Sequence, residues 1–176
     1  MKALILALAA PALALPFTPS TTLPATPEPL HCQVPCGIYG DTLRIDLLME
    51  DLATIEKAMK SIQEFQAAES PNINQMVRWT VTKDEHAQKI QDQVSAYWMA
   101  QRIKFPAADA DEAARSNYAS QLELMHRATV FAMKCKQTTD TANVDELRRA
   151  VLVFSESYFD EADLEHVRSH HGGDHK

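Results

Sequence analysis

The chain has 176 residues, with 17 Lys or Arg, 24 Asp or Glu and a formal net charge of −7. A chain of this length can bury a core of its own, and its acidity gives no reason to expect nucleic acid or a membrane surface as partner. Glycine is scarce, and the proline residues beyond position 35 are Pro71 and Pro106. Long proline-free stretches rich in Ala, Leu, Gln, Glu and Lys favour helices over a β-sandwich or β-barrel.

Residues 1–30 are predicted to form a leader that is removed. Lys2 precedes an apolar run over residues 3–15, which suits a secretory signal and is shorter than the ~20 residues of a membrane-spanning helix. Residues 12–14 resemble a signal-peptidase site, so we predict a signal peptide over residues 1–14. Residues 15–30 contain five prolines and are predicted as an extended propeptide or second targeting segment. The expected destination is a secretory or organelle route, the plastid included, with a soluble mature chain.

Residues 41–169 contain four segments whose apolar residues recur every three or four positions, which is the period of a helix facing a core. The segments are predicted over residues 41–70, 71–104, 109–136 and 143–158. Short connections make neighbouring helices antiparallel, so the sequence predicts an all-α fold, an up-down antiparallel four-helix bundle. Residues 170–176 are predicted as a flexible tail rich in histidine, although such tails also bind metals.

Residues 31–40, which we call the hook, read HCQVPCGIYG and hold the densest group of metal-binding side chains. Two cysteines are too few for a structural zinc site, and their three-residue spacing differs from the thioredoxin-type redox motif. A cut after Leu30 would make His31 the N-terminus. The α-amine of His31, the amide nitrogen and thiolate of Cys32 and the thiolate of Cys36 would then form a planar N₂S₂ set. That geometry is typical of Ni(II) or Cu(II), with the His31 imidazole above the plane as an axial ligand.

The motif HCxxPCGxY over residues 31–39, at a processed N-terminus before a helical bundle, resembles nickel-containing superoxide dismutase. The likeness continues through RID at residues 44–46, RWTV at 78–81 and YW at 97–98. It implies one nickel ion per chain that alternates between Ni(III) and Ni(II). It also implies that two superoxide anions become O₂ and H₂O₂, and that the four-helix bundle assembles as a homohexamer.

The resemblance implies that His31, Cys32 and Cys36 are the nickel ligands. It implies that His31 binds through its α-amine and, in the oxidised state, through its imidazole. Tyr39 would act with His31 in catalysis by limiting access to the open face and ordering water or substrate. Pro35 would fix the turn of the hook.

Two further residues are candidates for supporting the axial imidazole. In the family an acidic residue of the first helix holds this ring, and Asp46 is the candidate for that position. Some relatives follow it with an arginine on the second helix, where this sequence has His86. The net charge of −7 would repel superoxide at long range, so we expect local lysines near the site to offset it.

Two interpretations without catalysis stay open from the residues. One is a secreted helical protein that stores or carries nickel or copper through the hook and the histidine tail. The other is a structural helical module in which Cys32 and Cys36 form a disulfide. Only the dismutase interpretation requires a processing protease that makes His31 the first residue.

Overall fold

The structure, a computed structural model, describes residues 34, 35 and 37–171, with side chains up to Ser169. Helices make up the regular structure of these residues, without a strand, so the predicted all-α fold is confirmed. None of the described helices has the length and apolar character that a membrane crossing requires. The helical elements are α1 (Asp41–Ala67), α2 (Ile73–Gln93), a π-helical segment (Val94–Arg102), α3 (Glu112–Gln137), α4 (Ala142–Tyr158) and α5 (Glu161–His171).

The first four α-helices form the predicted bundle, in which α1 packs against α2 and α4, and α3 packs against α2 and α4. Lys83 and Gln91 of α2 reach the carbonyl groups of Cys135 and Thr129 respectively, so α2 and α3 run antiparallel. Each helix buries an apolar stripe, the usual source of helix stability in proteins. The largest fully buried side chains are Trp98, Phe154, Ile45, Leu48, Leu52, Ile55, Met59, Ile90, Met125, Leu147, Val94 and Val144.

Two helices begin at side chains that cap their first turns. The Oδ1 atom of Asn72 accepts a hydrogen bond from the Gln75 N–H at 3.2 Å, and α2 begins one residue after Asn72. The Oδ1 atom of Asp111 accepts from the Ala114 N–H at 2.8 Å, and α3 follows. Both helices therefore begin a few residues later than the sequence predicted, because these acceptors satisfy first-turn donors that would otherwise lack partners.

A fifth helix, α5, follows the bundle and was not predicted. It buries Leu164 and Val167 and packs against α1 and α4. Two buried residues in an 11-residue helix are too few to give a clear periodic stripe, which explains why the sequence pattern ended at Tyr158. The predicted tail at residues 170–176 overlaps the end of α5, and residues 172–176 lie outside the described residues.

The π-helical segment continues α2 and changes its register near the base of the hook. The Ile103 N–H donates to the Trp98 carbonyl at 2.9 Å, five positions back, and the side-chain Nε2 of Gln101 donates to the Ala96 carbonyl at 2.8 Å. In this geometry residues five positions apart become neighbours, whereas an α-helix brings together residues three or four apart. Tyr97 and Arg102 are therefore able to reach the same partner.

Candidate metal centre and its surroundings

Tyr39, the predicted catalytic tyrosine, lies two residues before α1 and is 39% exposed. Its ring meets the Tyr97 ring edge-on, with centroids 6.0 Å apart and planes at 73°. The guanidinium carbon of Arg102 lies 4.1 Å from the centroid of the Tyr39 ring. Both contacts come from the π-helical segment, so the described end of the hook rests on that segment.

Two of the side chains that form the next layer, Tyr97 and Arg102, contact Tyr39. Together with two others they form what we call the Asp41 cluster: Asp41, Tyr97, Arg102 and Tyr158. Arg102 donates from Nη2 to Oδ2 of Asp41 at 2.6 Å and from Nε to Oδ1 at 2.9 Å. The Tyr97 hydroxyl donates to Oδ1, and the Tyr158 hydroxyl donates to Oδ2 at 2.8 Å. One carboxylate thus joins the start of α1 to the π-helical segment and to the end of α4.

The pKa values of this cluster keep its hydrogen bonds intact at neutral pH. Burial alone would raise the pKa of Asp41, but the hydrogen bonds from Arg102, Tyr97 and Tyr158 outweigh burial and lower it. Burial and the bond to Asp41 raise the pKa of Tyr97 to about 12, and the same two causes raise the pKa of Tyr158 further. Asp41 therefore stays an acceptor, and both phenols stay donors.

Asp46, the candidate support of the axial imidazole, lies on α1 and contacts α5. Its Oδ2 atom is 3.1 Å from Nε2 of His166, and both side chains are partly exposed. This partner could not be predicted from the sequence, since His166 is 120 positions away in a helix that was not predicted. Asp46 therefore connects α1 to α5.

His86, the second candidate support, lies on α2 and bonds to a different carboxylate. Its Nδ1 atom donates to Oδ1 of Asp51 at 2.6 Å, and Lys89 donates to its Nε2 atom at 3.5 Å. Burial raises the pKa of Asp51, and the hydrogen bond from His86 offsets only part of that effect. Sequence reasoning missed Asp51, because it stands beside Glu50 in a charged stretch typical of a solvated helix face.

The hook itself is described at a few positions. The peptide bond between Val34 and Pro35 is cis, and Gly37 has φ +78°, a left-handed conformation that favours glycine. The side chains of Val34 and Ile38 are exposed. The predicted nickel ligands His31, Cys32 and Cys36 lie outside the described residues, so their roles stay predictions.

The chemistry of the donors indicates where a nickel ion would bind. Within the described part of the chain, no group of three or more His, Cys, Asp or Glu side chains could hold a metal ion. The third cysteine, Cys135, is fully buried in α3, and burial raises the pKa of its thiol to about 11. A buried, protonated thiol is a poor ligand, because metals bind the thiolate. A two-thiolate nickel site in one chain therefore fits Cys32 and Cys36.

Comparison with known proteins identifies the family. A comparison with curated proteins found no match, and a comparison with solved structures found none either. A family model described as nickel-containing superoxide dismutase matches residues 26–162. The match covers most of the chain, including the HCxxPCGxY motif and α1 to α4, whereas α5 lies almost wholly beyond it. The chain belongs to the nickel-containing superoxide dismutase family.

Proposed function

We propose that the mature enzyme begins at His31 and binds one nickel ion through the hook. The ligands would be the α-amine and, in the oxidised state, the imidazole of His31, the amide nitrogen and thiolate of Cys32, and the thiolate of Cys36. Family membership and the complete HCxxPCGxY motif support this assignment. The buried, protonated state of Cys135 supports it too, because it leaves two available thiols.

The reaction of the family, nickel-dependent superoxide dismutation, consumes two superoxide anions and two protons and yields O₂ and H₂O₂. Nickel, when bound, would supply the one-electron chemistry that this reaction needs. Tyr39 would limit access to the reacting atoms and order the water or superoxide beside them. Protons would come from solvent or from a nearby hydroxyl group such as that of Tyr39.

The observation that carries the proposal most directly is the placement of Tyr39. A half-exposed phenol, three residues after Cys36, has one side against Arg102 and Tyr97 and the rest of its surface accessible. A fixed hydroxyl group at the edge of a metal site can orient a small substrate and exchange protons with it. The Tyr39 side chain of the motif is therefore held on one side by its contacts with Arg102 and Tyr97.

Charge near Tyr39 bears on how an acidic protein attracts an anion. The sequence led us to expect lysines, but the cations that contact Tyr39 and Tyr97 are Arg102 and Arg44. The Arg44 guanidinium carbon lies 4.8 Å from the centroid of the Tyr97 ring, and among the described residues no carboxylate forms an ion pair with it. Arg102 is neutralised by Asp41, so we propose Arg44 as the cation that attracts superoxide towards the site.

The proposal also covers the processing, the localisation and the assembly of the chain. We propose a signal peptide over residues 1–14, a propeptide or second targeting segment over residues 15–30, a processing protease, and a secretory or organelle route. We also propose a homohexamer. An exposed apolar row on α2, consisting of Ile73, Val77 and Val81, supports association, because such patches commonly mark interfaces.

The start of the mature chain tests the proposal. N-terminal sequencing and metal analysis of the native protein should give His31 as the first residue and one nickel ion per chain. An added alanine before His31 converts the amine ligand into an amide and should remove most dismutase activity. A native chain that begins at Leu15 and has full activity would overturn the ligand assignment. Nickel or copper binding without activity would favour a carrier, and a Cys32–Cys36 disulfide would favour a structural module.

A further inference from the structure

We propose that Arg102 is a positioning residue for Tyr39, held in place by Asp41 and by the π-helical segment. The proposal rests on the role proposed above for Tyr39, and it adds the residues that orient the phenol. The guanidinium group of Arg102 lies over the Tyr39 ring, 4.1 Å from its centroid. This distance permits a cation–π contact, which favours one orientation of the ring over others.

Asp41 fixes the orientation of the Arg102 guanidinium group independently of Tyr39. The carboxylate accepts from both Nε and Nη2 of Arg102, at 2.9 and 2.6 Å, which is the bidentate pairing that sets the plane of the group. The hydroxyl groups of Tyr97 and Tyr158 donate to the same carboxylate. Four donors therefore hold Asp41, and Asp41 in turn holds Arg102.

The π-helical segment explains how one carboxylate receives these donors. Tyr97 and Arg102 are five positions apart, so they point in similar directions only where the backbone pairs at five-residue spacing. In regular α-helix they would lie on different faces. Tyr97 also contacts the edge of the Tyr39 ring, with centroids 6.0 Å apart. The segment thus presents two side chains to Tyr39 and ties both to Asp41.

Without Arg102, the Tyr39 ring would lose its cation–π contact and keep the edge-on contact with the Tyr97 ring. The ring is 39% exposed, so solvent would allow it to turn away from the hook. A mispositioned group commonly costs one or two orders of magnitude in rate. Nickel binding should persist, because none of the proposed ligands lies in the Asp41 cluster.

A double-mutant cycle with Arg102→Gln and Tyr39→Phe tests whether Arg102 acts through Tyr39. We expect Arg102→Gln to lower kcat/KM about tenfold with unchanged nickel content. In the Tyr39→Phe background the same change should cost less than about twofold, because contacting residues that act together are not additive. Equal fold-losses in the two backgrounds would overturn the proposal.

A second substitution separates position from charge. Arg102→Lys keeps a positive charge that can pair with Asp41, but it removes the planar group over the Tyr39 ring. We expect it to show most of the loss seen with Arg102→Gln. Full activity in Arg102→Lys would mean that charge alone suffices and would also overturn the proposal. The lysine variant keeps the test valid if Arg102→Gln fails to fold.

Arg148→Gln is the matched control. The Arg148 side chain is 23% exposed, like that of Arg102, and its Nη2 atom donates to Glu56 at 2.7 Å. Glu56 lies on α1 about 22 Å along the helix axis from Asp41, at ~1.5 Å per residue. We expect Arg148→Gln to leave kcat/KM unchanged in both backgrounds. A tenfold loss in this variant would mean that loss of any partly buried ion pair of α1 lowers activity, and Arg102 would have no special role.

An NMR measurement that does not depend on nickel separates the positioning role of Arg102 from the proposed role of Tyr39. In the full chain labelled with ¹³C-tyrosine, Arg102→Gln should shift the NMR signal of Tyr39, assigned by its loss in Tyr39→Phe, and leave the Tyr118 signal in place. An unshifted Tyr39 signal would overturn the positioning role whatever the activity. A shifted signal combined with full activity of Tyr39→Phe would support positioning by Arg102 and refute the proposed role of Tyr39.

Discussion

The Tyr158 hydroxyl donates a hydrogen bond to Oδ2 of Asp41 at 2.8 Å, although 117 positions of sequence separate the two residues. Tyr158 is the last residue of α4 and Asp41 is the first residue of α1. The bond therefore closes the bundle at the end where α1 follows the hook. It makes the support of Tyr39 depend on the packing of the whole bundle, since Trp98 packs against Tyr158 from the other side with centroids 5.2 Å apart.

Asp41→Asn should lower stability in a pH-dependent manner. Three side chains donate to a carboxylate whose pKa is lowered in the folded state. Such a group stabilises the fold above its unfolded pKa of ~3.9, and the contribution is lost as pH falls through the folded value. We expect Asp41→Asn to lower the free energy of unfolding by about 1–3 kcal/mol at pH 7 and by clearly less at pH 3. Urea denaturation at both pH values measures the difference.

Glu64→Gln provides the control for this substitution. Glu64 is exposed on α1, and no hydrogen bond or ion pair of its side chain is described. Its replacement should leave the unfolding midpoint unchanged at either pH. The same loss of stability at pH 7 and pH 3 for Asp41→Asn would show that the charge of the carboxylate does not contribute.

The sequence was sufficient to predict the bundle and the family. Four apolar stripes gave α1 to α4, because burial of one helix face leaves a period that a single sequence displays. The hook gave the family, because its ligands lie within a few positions of one another. Both signals are local in sequence, and that is why they could be read without a structure.

The Asp41 cluster could not be predicted for the opposite reason. The partners of Asp41 lie 56, 61 and 117 positions away, and nothing in a single sequence pairs them. The π-helical register is equally hidden, since the apolar pattern of residues 94–102 is compatible with an ordinary helix. Asp41 therefore stood in the sequence as no more than the first residue of a helix.

Lys83→Met should destabilise the bundle. The Lys83 side chain is 3% exposed, and its amine donates to the carbonyl groups of Cys135 and Lys136 at 2.6 and 2.7 Å. The last carbonyl groups of a helix lack intrahelical partners, so Lys83 of α2 caps the end of α3 and complements its dipole. Without the amine these acceptors are unsatisfied, at a cost of about 1–3 kcal/mol in the free energy of unfolding.

Urea denaturation at neutral pH measures this cost, and Lys104→Met is its control. Lys104 is exposed between the π-helical segment and α3, and no ion pair of its side chain is described. Its replacement should change stability by less than about 0.5 kcal/mol. Equal midpoints for Lys83→Met and the unmutated chain would mean that other donors or water satisfy the end of α3.

Arg44→Gln should slow the capture of superoxide at low salt. The chain repels anions at long range with its net charge of −7, and we propose that Arg44 offsets this repulsion beside Tyr97. Removal of the charge should lower kcat/KM several-fold at low ionic strength. The difference should nearly vanish near 1 M salt, where the Debye length is about 3 Å.

Rate measurements over a range of ionic strength test this effect, with Arg149→Gln as the control. Arg149 is an exposed arginine of α4 that pairs with Glu146. Its replacement changes the net charge by the same amount and should leave the rate nearly unchanged. A loss in Arg44→Gln that persists at high salt would point to a packing role for Arg44 and would contradict attraction of the substrate.

His166→Ala should alter the electronic environment of nickel without removing the ion. His166 bonds to Asp46 at 3.1 Å, and Asp46 is the proposed support of the His31 imidazole. His166 lies beyond residues 26–162, which the family model matches. We expect a changed Ni(III) signal in electron paramagnetic resonance at unchanged nickel content. His126→Ala, at an exposed site of α3, should leave the signal as it was. An identical spectrum in His166→Ala would separate α5 from the metal centre.

Cys32→Ser and Cys36→Ser should each abolish nickel binding and leave the bundle folded. The core of the described residues lies within residues 45–167. Cys32 and Cys36 lie outside the described residues, and we expect their thiols to contribute nothing to this core. We therefore expect unchanged helical circular dichroism. The free energy of unfolding should lie within about 0.5 kcal/mol of that of the unmutated chain without nickel. Cys135→Ala provides the matched control. It removes a thiol whose burial raises its pKa to about 11, and it should retain one nickel ion per chain while losing some stability. Full nickel content in Cys36→Ser would refute the two-thiolate site, and loss of nickel from folded Cys135→Ala would place a ligand in the core.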